Sequence, residues 1–420
     1  MRRFLALLLA FLAALLLIAS AYGEAGEGRT VVVVLFDGFS PAMMDGVATP
    51  NFDRLAREGV RSRHLVPSFP SLSMVNHTTF ATGCWPAHHG IVANEFRDPQ
   101  AGLYDTKADR ADAVWRTGCE SLWQAAERQG APSAVFNFVG RWSSKTGKEA
   151  SIINDEVPWK DHESDDTILA KAGAALADPH IRLIALYFDY PDSVAHGDGV
   201  HGDKTKATVA KADAVVGRLL AAIAALPKTR AVDLVVGADH GMTAVTKVIN
   251  IDKLKARHAF EADVAYGSGS AMLYLKPGTD AARLAKALAK YRGVFQVYRK
   301  GHVPAFAHIG TSARVGDLLL ITHPPYAFEG HEIMKPEFIA NAENQSGPPV
   351  YQPKAKWFNA MHGYTPDVTA MHAIFYAWGP GIAPAVLKKI DMIDVAPTTL
   401  NLIGLKPGQD SDGKVLDLGR

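Results

Sequence analysis

Thr30-Val31-Val32-Val33-Val34-Leu35-Phe36, closed by Asp37-Gly38, is the stretch whose reading decides the fold. A run of β-branched and apolar residues with no polar alternation has no face to offer to water. It reads as a strand covered on both sides, as in a parallel sheet. Three more runs repeat the pattern: residues 181–188 lead into Asp189-Tyr190-Pro191-Asp192, 233–238 into Asp239-His240-Gly241, and 373–378 into Gly379-Pro380-Gly381. Between them, residues 51–58, 121–129, 166–177 and 205–226 have the spacing of amphipathic helices. Strands alternating with helices predict an α/β fold, a layered core with a mostly parallel central sheet flanked by helices. Such sheets bind ligands beyond the carboxyl ends of their strands. Here three of the runs deliver carboxylates to that edge and two deliver histidines.

Residues 251–359 read differently: a strand at 271–275, a helix at 279–291, strands near 293–298 and 316–322, then a loop rich in Gly, Pro and Asn. This predicts a smaller α+β insertion, or cap, at 251–359 within a catalytic core formed by 24–250 and 360–420.

The composition narrows the class. With 420 residues, 48% hydrophobic, the chain is ample for a large packed core. Its 44 Lys+Arg against 43 Asp+Glu give a net charge of +1. With no basic stripe, no nucleic-acid polymer is expected as a partner. Arg2 and Arg3 precede an unbroken apolar run at 4–19, and Ala19-Ser20-Ala21 offers a small-x-small cleavage site. Residues 1–23 therefore read as a signal peptide, which predicts an exported, periplasmic or secreted protein. The alternative is an uncleaved N-terminal anchor, the one membrane contact expected. The two cysteines, Cys84 and Cys119, show no metal-type spacing. An oxidising compartment favours their pairing over two separate buried thiols.

Asp192-x-x-x-His196 places a carboxylate and an imidazole just after one strand. Asp239-His240 does so at a second, Asp37 stands at a third, and His362 lies where the insertion returns. Three Asp and three His suffice for two divalent ions with three protein ligands each. Mixed N/O ligation suits zinc and leaves positions open for substrate. For a nucleophile, the segment 66–94 offers hydroxyls at a helix-like start near Ser73. There backbone dipoles favour phosphate oxygens, and an adjacent ion stabilises an alkoxide.

These residues resemble the nucleotide pyrophosphatase/phosphodiesterase family of the alkaline phosphatase superfamily. The resemblance runs through Phe69-Pro70, Asn76-His77-Thr78, Thr82-Gly83, Pro86 and His89-Gly90-Ile91. It continues in Asp37-Gly38-Phe39, Pro191-Asp192, His196, Asp239-His240-Gly241-Met242 and His362-Gly363-Tyr364, covering most of the chain after the leader. It implies an alkaline-phosphatase-like core with Ser73 as nucleophile. One ion would be held by Asp192, His196 and His362, the other by Asp37, Asp239 and His240 with Ser73 completing that shell. It also implies Asn94 on a phosphate oxygen and Tyr187 stacked on a nucleotide base. The chain departs from the family in carrying Ser73 where Thr is usual, and Met74 where Phe helps sandwich the base. Met74 is soft enough to cover an aromatic face instead.

The expectation is a two-metal phosphodiesterase or nucleotide pyrophosphatase acting on a small phosphodiester or nucleotide through a phosphoseryl intermediate. The alternatives are a phosphomonoesterase on the same scaffold, which Arg141 reaching the site would favour, and a metal-binding protein without turnover. A sulfatase would need Cys/Ser-x-Pro-x-Arg, and Ser68-Phe69-Pro70-Ser71-Leu72 lacks the arginine. His77, His88 and His89 read as structural, His201 and Asp203 as surface, Arg141 as exposed. The sequon Asn76-His77-Thr78 lies inside the nucleophile motif and is discounted.

Overall fold

The structure is a computed structural model describing residues 28–104, 115, 118–141, 147–154, 163–329, 347–352 and 359–419. The leader expected at 1–23 lies outside these residues.

The run read first is the strand Arg29–Asp37, and Val31 to Phe36 are all 0% exposed. It sits between Leu183–Pro191 and Ala231–Ala238, parallel to both, in register Leu35 to Tyr187 and Leu35 to Gly237. Ser133–Phe136 and Ile152–Ile153 extend the sheet in parallel on one side. On the other side come Ala373–Trp378, then Val60–Val66, in a sheet of nine strands among the described residues. Helices Pro50–Glu58, Asp165–Ala177 and Asp203–Ala224 supply flanking cover, with buried Phe52, Ile168, Val209 and Val216 joining the sheet core.

One direction differs from expectation. Ala373–Trp378 runs antiparallel to both neighbours. Ala231–Ala238 ends at the site edge and the insertion both leaves and returns there. The chain therefore re-enters the sheet from that edge and has to run the opposite way.

The insertion contains an antiparallel four-stranded sheet, Ala262–Tyr266, Ser270–Leu275, Leu318–Thr322 and Phe295–Arg299, with the helix Ala281–Leu288. A second sheet pairs Lys247–Asn250 with Tyr326–Glu329 and Val350–Tyr351. The first strand of this unit thus starts before 251, because its apolar face at Ile249 packs with Phe260, Leu273 and Phe328 of the insertion. Arg314 ties the two units. Its Nε donates to Asp98 at 2.7 Å, Nη1 donates to the carbonyls of Gly90 (2.6 Å) and Trp115 (2.7 Å), and its guanidinium lies over the Phe96 and Trp115 rings. Cys84 and Cys119 are joined as a disulfide with Cα atoms 6.6 Å apart.

Candidate active site

Three adjacent parallel strands end side by side and each carries a carboxylate outward. Asp37 closes the central strand, Asp239 follows Ala231–Ala238, and Asp192 opens the short helix Asp192–Asp198 directly after Leu183–Pro191. The crowding requires Gly38. With φ of +66°, it passes so close to Asp192 that a Cβ would lie 2.6 Å from that residue's own Cβ.

The fourth element is the helix Ser73–Thr82, whose ten residues are all buried. Ser73 is its first residue, and its Oγ lies 3.2 Å from His240 Nε2 and 3.5 Å from Asp37 Oδ1. His196 Nε2 stands 3.1 Å from Asp192 Oδ2, and His362 Nε2 stands 3.6 Å from Asp192 Oδ1. His240 Nε2 lies 3.3 Å from Asp239 Oδ2 and 3.5 Å from Asp37 Oδ1. All seven residues expected to hold ions or attack substrate converge here.

The imidazoles share one arrangement. Nδ1 of His196 faces the Ala360 carbonyl at 3.0 Å, that of His362 the Ser71 carbonyl at 3.0 Å, and that of His240 the Gly241 carbonyl at 3.1 Å. A carbonyl accepts only, so each ring carries a proton on Nδ1 and turns Nε2 toward the carboxylates, the orientation of metal-ligating histidines. Burial, reinforced by His240, lowers His362 to about 4, and burial also lowers His240, so both rings stay neutral. Asp37 is raised by burial and by Asp239 and Asp192 beside it. Burial alone would lower His196, but Asp192 lifts it to about 9, and His196 in turn holds Asp192 below the usual carboxylate range against its own burial.

Whether divalent ions fit is decided by the remaining oxygens. Asp239 Oδ1 accepts from the Gly38 and His240 amides, both at 2.9 Å; Asp192 Oδ1 is buried with no hydrogen-bond donor, and Asp239 Oδ2 meets only the imidazoles of His77 and His240, each at 3.3 Å. Buried carboxylate oxygens facing imidazole nitrogens form the donor set of a hard-to-borderline cation. Asp192, His240 and His362 form one such group, and Asp37 and Asp239 belong to a second with His77.

The substrate contacts divide. Asn94 sits beside Ser73, its Oδ1 accepting from the Met74 amide at 3.0 Å. Tyr187 is a correction. It is 0% exposed, packs edge-on against His77 at 4.5 Å, and its hydroxyl donates to Asp37 Oδ2 at 2.6 Å, so no ring face is open to a base. Met74 is also a correction, being 2% exposed and packed in the cluster of Phe69, Leu72 and Ile91. Arg141 is buried rather than exposed. Its Nη1 donates to the Phe138 carbonyl at 2.9 Å, because burying a guanidinium demands such acceptors. His201 and Asp203 are exposed, as expected. The sequence reading missed how close His77 comes. Its Nε2 lies 3.3 Å from Asp239 Oδ2 and 3.6 Å from Asp37 Oδ2, and despite burial those carboxylates raise it to about 9. Its position one helical turn after Ser73 was the available signal.

Comparison with known proteins gives one answer throughout. The family model described as type I phosphodiesterase / nucleotide pyrophosphatase matches residues 31–365. Ectonucleotide pyrophosphatase/phosphodiesterase family member 7 of Homo sapiens is 26% identical over 94% of this chain and 83% of its own length. The bis(5'-adenosyl)-triphosphatase of Mus musculus is 22% identical over 90% of this chain and 78% of its own. Murine ectonucleotide pyrophosphatase/phosphodiesterase 5, solved as an inactive variant in complex with AMP, superposes with a TM-score of 0.77. It is 23% identical, over 90% of this chain and 96% of that one.

Proposed function

Because the chain belongs to the type I phosphodiesterase / nucleotide pyrophosphatase family, a family of hydrolases, we propose that it is an exported two-metal phosphodiesterase. Ser73 would be its nucleophile and small nucleotides would be among its substrates. The observation that carries the reading is the meeting of Ser73 Oγ with Asp37 and His240 at a helix N-terminus, beside the carboxylates of Asp192 and Asp239.

Asp192, His196 and His362 would hold one ion, and Asp37, Asp239, His240 and Ser73 the other, with zinc suited to the mixed donors. Bound ions would supply charge stabilisation for the attacking, leaving and non-bridging oxygens. The chain's own part is positional. The helix starting at Ser73 would turn the positive end of its dipole toward the phosphoryl group, its Met74 amide being taken by Asn94. Asn94, its oxygen pinned by the Met74 amide, keeps its NH2 group for a phosphoryl oxygen. Ser73 oxygen bonds to phosphorus as the bond to the leaving oxygen breaks. Water then cleaves the phosphoseryl ester, returning the serine hydroxyl.

Diesters are preferred over monoesters in this reading. A monoester brings an additional charged oxygen, and Arg141, the cation the sequence offered for it, is committed to backbone carbonyls. The names of the relatives, one a dinucleoside triphosphatase and one solved with AMP, support a nucleotide substrate class. Export is supported by the leader-like N-terminal sequence and by the Cys84–Cys119 disulfide. Among the described residues no helix is long and apolar enough to cross a membrane.

The test is a rate panel with zinc-loaded protein on an aryl diester, an aryl monoester and a dinucleotide, repeated with Ser73→Ala. Diester turnover that exceeds monoester turnover and disappears in Ser73→Ala is expected. A dominant monoester rate would replace the reading with a phosphatase, and wild-type-like turnover in Ser73→Ala would remove the nucleophile.

A further inference from the structure

Asn76 is 0% exposed, on the buried helix that begins with Ser73. Its side chain spans the whole loop before the nucleophile. Oδ1 accepts from the Ser68 amide at 2.7 Å, and Nδ2 faces the carbonyls of Ser68 (3.2 Å), Pro70 (3.1 Å) and Leu72 (3.1 Å). Four backbone groups of one irregular loop thus converge on one amide, which matches both donor and acceptor needs as no other side chain of that size can.

That loop has two tasks. It ends at Ser73, and its Ser71 carbonyl orients His362, accepting from Nδ1 at 3.0 Å and from the Gly363 amide at 2.9 Å. Ser71 Oγ closes the contact, donating to the Tyr364 carbonyl at 2.9 Å and accepting from the Gly363 amide at 3.1 Å. Gly363 cannot yield in response. Its φ is +87° and a Cβ there would lie 1.6 Å from the Gly267 carbonyl oxygen, so the backbone beside His362 is seated against the cap. Any slack in the Ser68–Leu72 loop is therefore passed to the imidazole and to the nucleophile together.

We propose that Asn76 is a positioning residue that fixes the nucleophile and the His362 metal ligand in register through one loop. The proposal rests on the two-metal reading above. Its signature is asymmetric. Asn76 holds the residues on either side of Ser71, the support of His362, but bonds none of the supports found for Asp239 or His240, which are the Gly38, His240 and Gly241 backbones. Loss of the amide weakens the ion site of Asp192, His196 and His362 and slows turnover, while the other ion site keeps Asp37, Asp239 and His240 in place and loses only the placement of Ser73.

The experiment compares full-length wild type with Asn76→Ala and Asn76→Asp. Asn76→Asp keeps the acceptor for the Ser68 amide but sets an oxygen against three carbonyls. Zinc is withdrawn by a graded chromophoric competitor so that two sites are resolved, and kcat and KM are measured with zinc in excess. One affinity is expected to fall roughly 10–100-fold, the usual loss for a ligand's supporting partner, with the other, which keeps three of its four ligands in place, falling clearly less. The fall in kcat is expected to be of similar size, with KM little altered. Two zinc sites in wild type with unchanged affinities and kcat in Asn76→Ala would overturn the role of Asn76 alone. Equal weakening of both sites together with a lowered Tm would make Asn76 merely structural and also overturn it. A wild-type chain that binds no zinc would sink the two-metal reading itself. Should Asn76→Ala not fold, Asn76→Asp decides by the same two readings.

Discussion

The hydroxyl of Tyr187 donates to Asp37 Oδ2 at 2.6 Å, while Asp37 Oδ1 faces Ser73 Oγ at 3.5 Å. One carboxylate is thus held from behind by a phenol and presented forward to Ser73. Tyr187→Phe removes the hydroxyl without changing the packing against His77. We expect kcat/KM to fall roughly 10–100-fold, the size of a lost hydrogen bond to a buried charge. The loss should be equal for nucleotide and simple aryl diesters, because the ring meets neither. Parallel kinetics on the two substrates check this, and a loss confined to nucleotides would show that the ring reaches a base after all.

Removing the proposed ions would carry a stability cost that follows from the carboxylates. Asp37 is raised first by burial and then by Asp239 and Asp192. Three crowded carboxyl groups, offset only in part by the His77 and His196 imidazoles, oppose folding. Ions at about 100 times their Kd stabilise by about 2.7 kcal/mol per site, which for a chain of this size is a Tm shift of roughly 3 °C per site. Chelation should abolish turnover and lower Tm together, and added zinc should restore both. Full activity in protein shown metal-free by elemental analysis would refute the assignment.

The parts of the fold that were legible in the sequence were those set by continuous burial. The run at 30–36 could only be a doubly covered strand, and a ligand at the end of such a strand has a place fixed by topology. Asp37, Asp192 and Asp239 were therefore readable. Side-chain direction was not. The offset of Tyr187 from Asp192 fixes its place along a strand but not which side of the sheet its hydroxyl meets. Nor do the carbonyls of Ala360, Gly241 and Ser71 that orient the histidines have any residue signature, since every residue carries one. Arg141 misled for the converse reason: its charge suggested exposure, and carbonyl acceptors made burial tolerable.

The Cys84–Cys119 disulfide closes a loop with a sequence separation of 35 right after the nucleophile helix. Closing a loop of that length restricts the unfolded chain by about 3–4 kcal/mol. Cys84→Ser with Cys119→Ser should lower the urea midpoint by a corresponding amount. Activity at 25 °C should survive, since neither sulfur is among the seven residues of the site. Overlapping urea curves for the double variant and the parent would refute the stabilising role.

His64 and His372 provide a pH-dependent term away from the ion site. Their Nδ1 atoms are 3.0 Å apart, so one must donate and the other accept, and a second proton would set two N–H groups face to face. His372 is 8% exposed, and burial, then His64 and Lys389, lower its pKa against the pull of the Pro366 carbonyl and Asp367. A histidine whose folded pKa is depressed binds its proton more readily unfolded. Its contribution to stability is therefore intact above about 6.5 and lost as pH falls from there toward the folded value. The residues proposed to hold metal also titrate in acid, so the informative quantity is the difference between wild type and His372→Gln. Tm measured from pH 7.5 to 5 should fall more steeply for wild type, because glutamine has no proton to gain. Parallel curves would mean that the pair accommodates the second proton, with the His64 ring turning away.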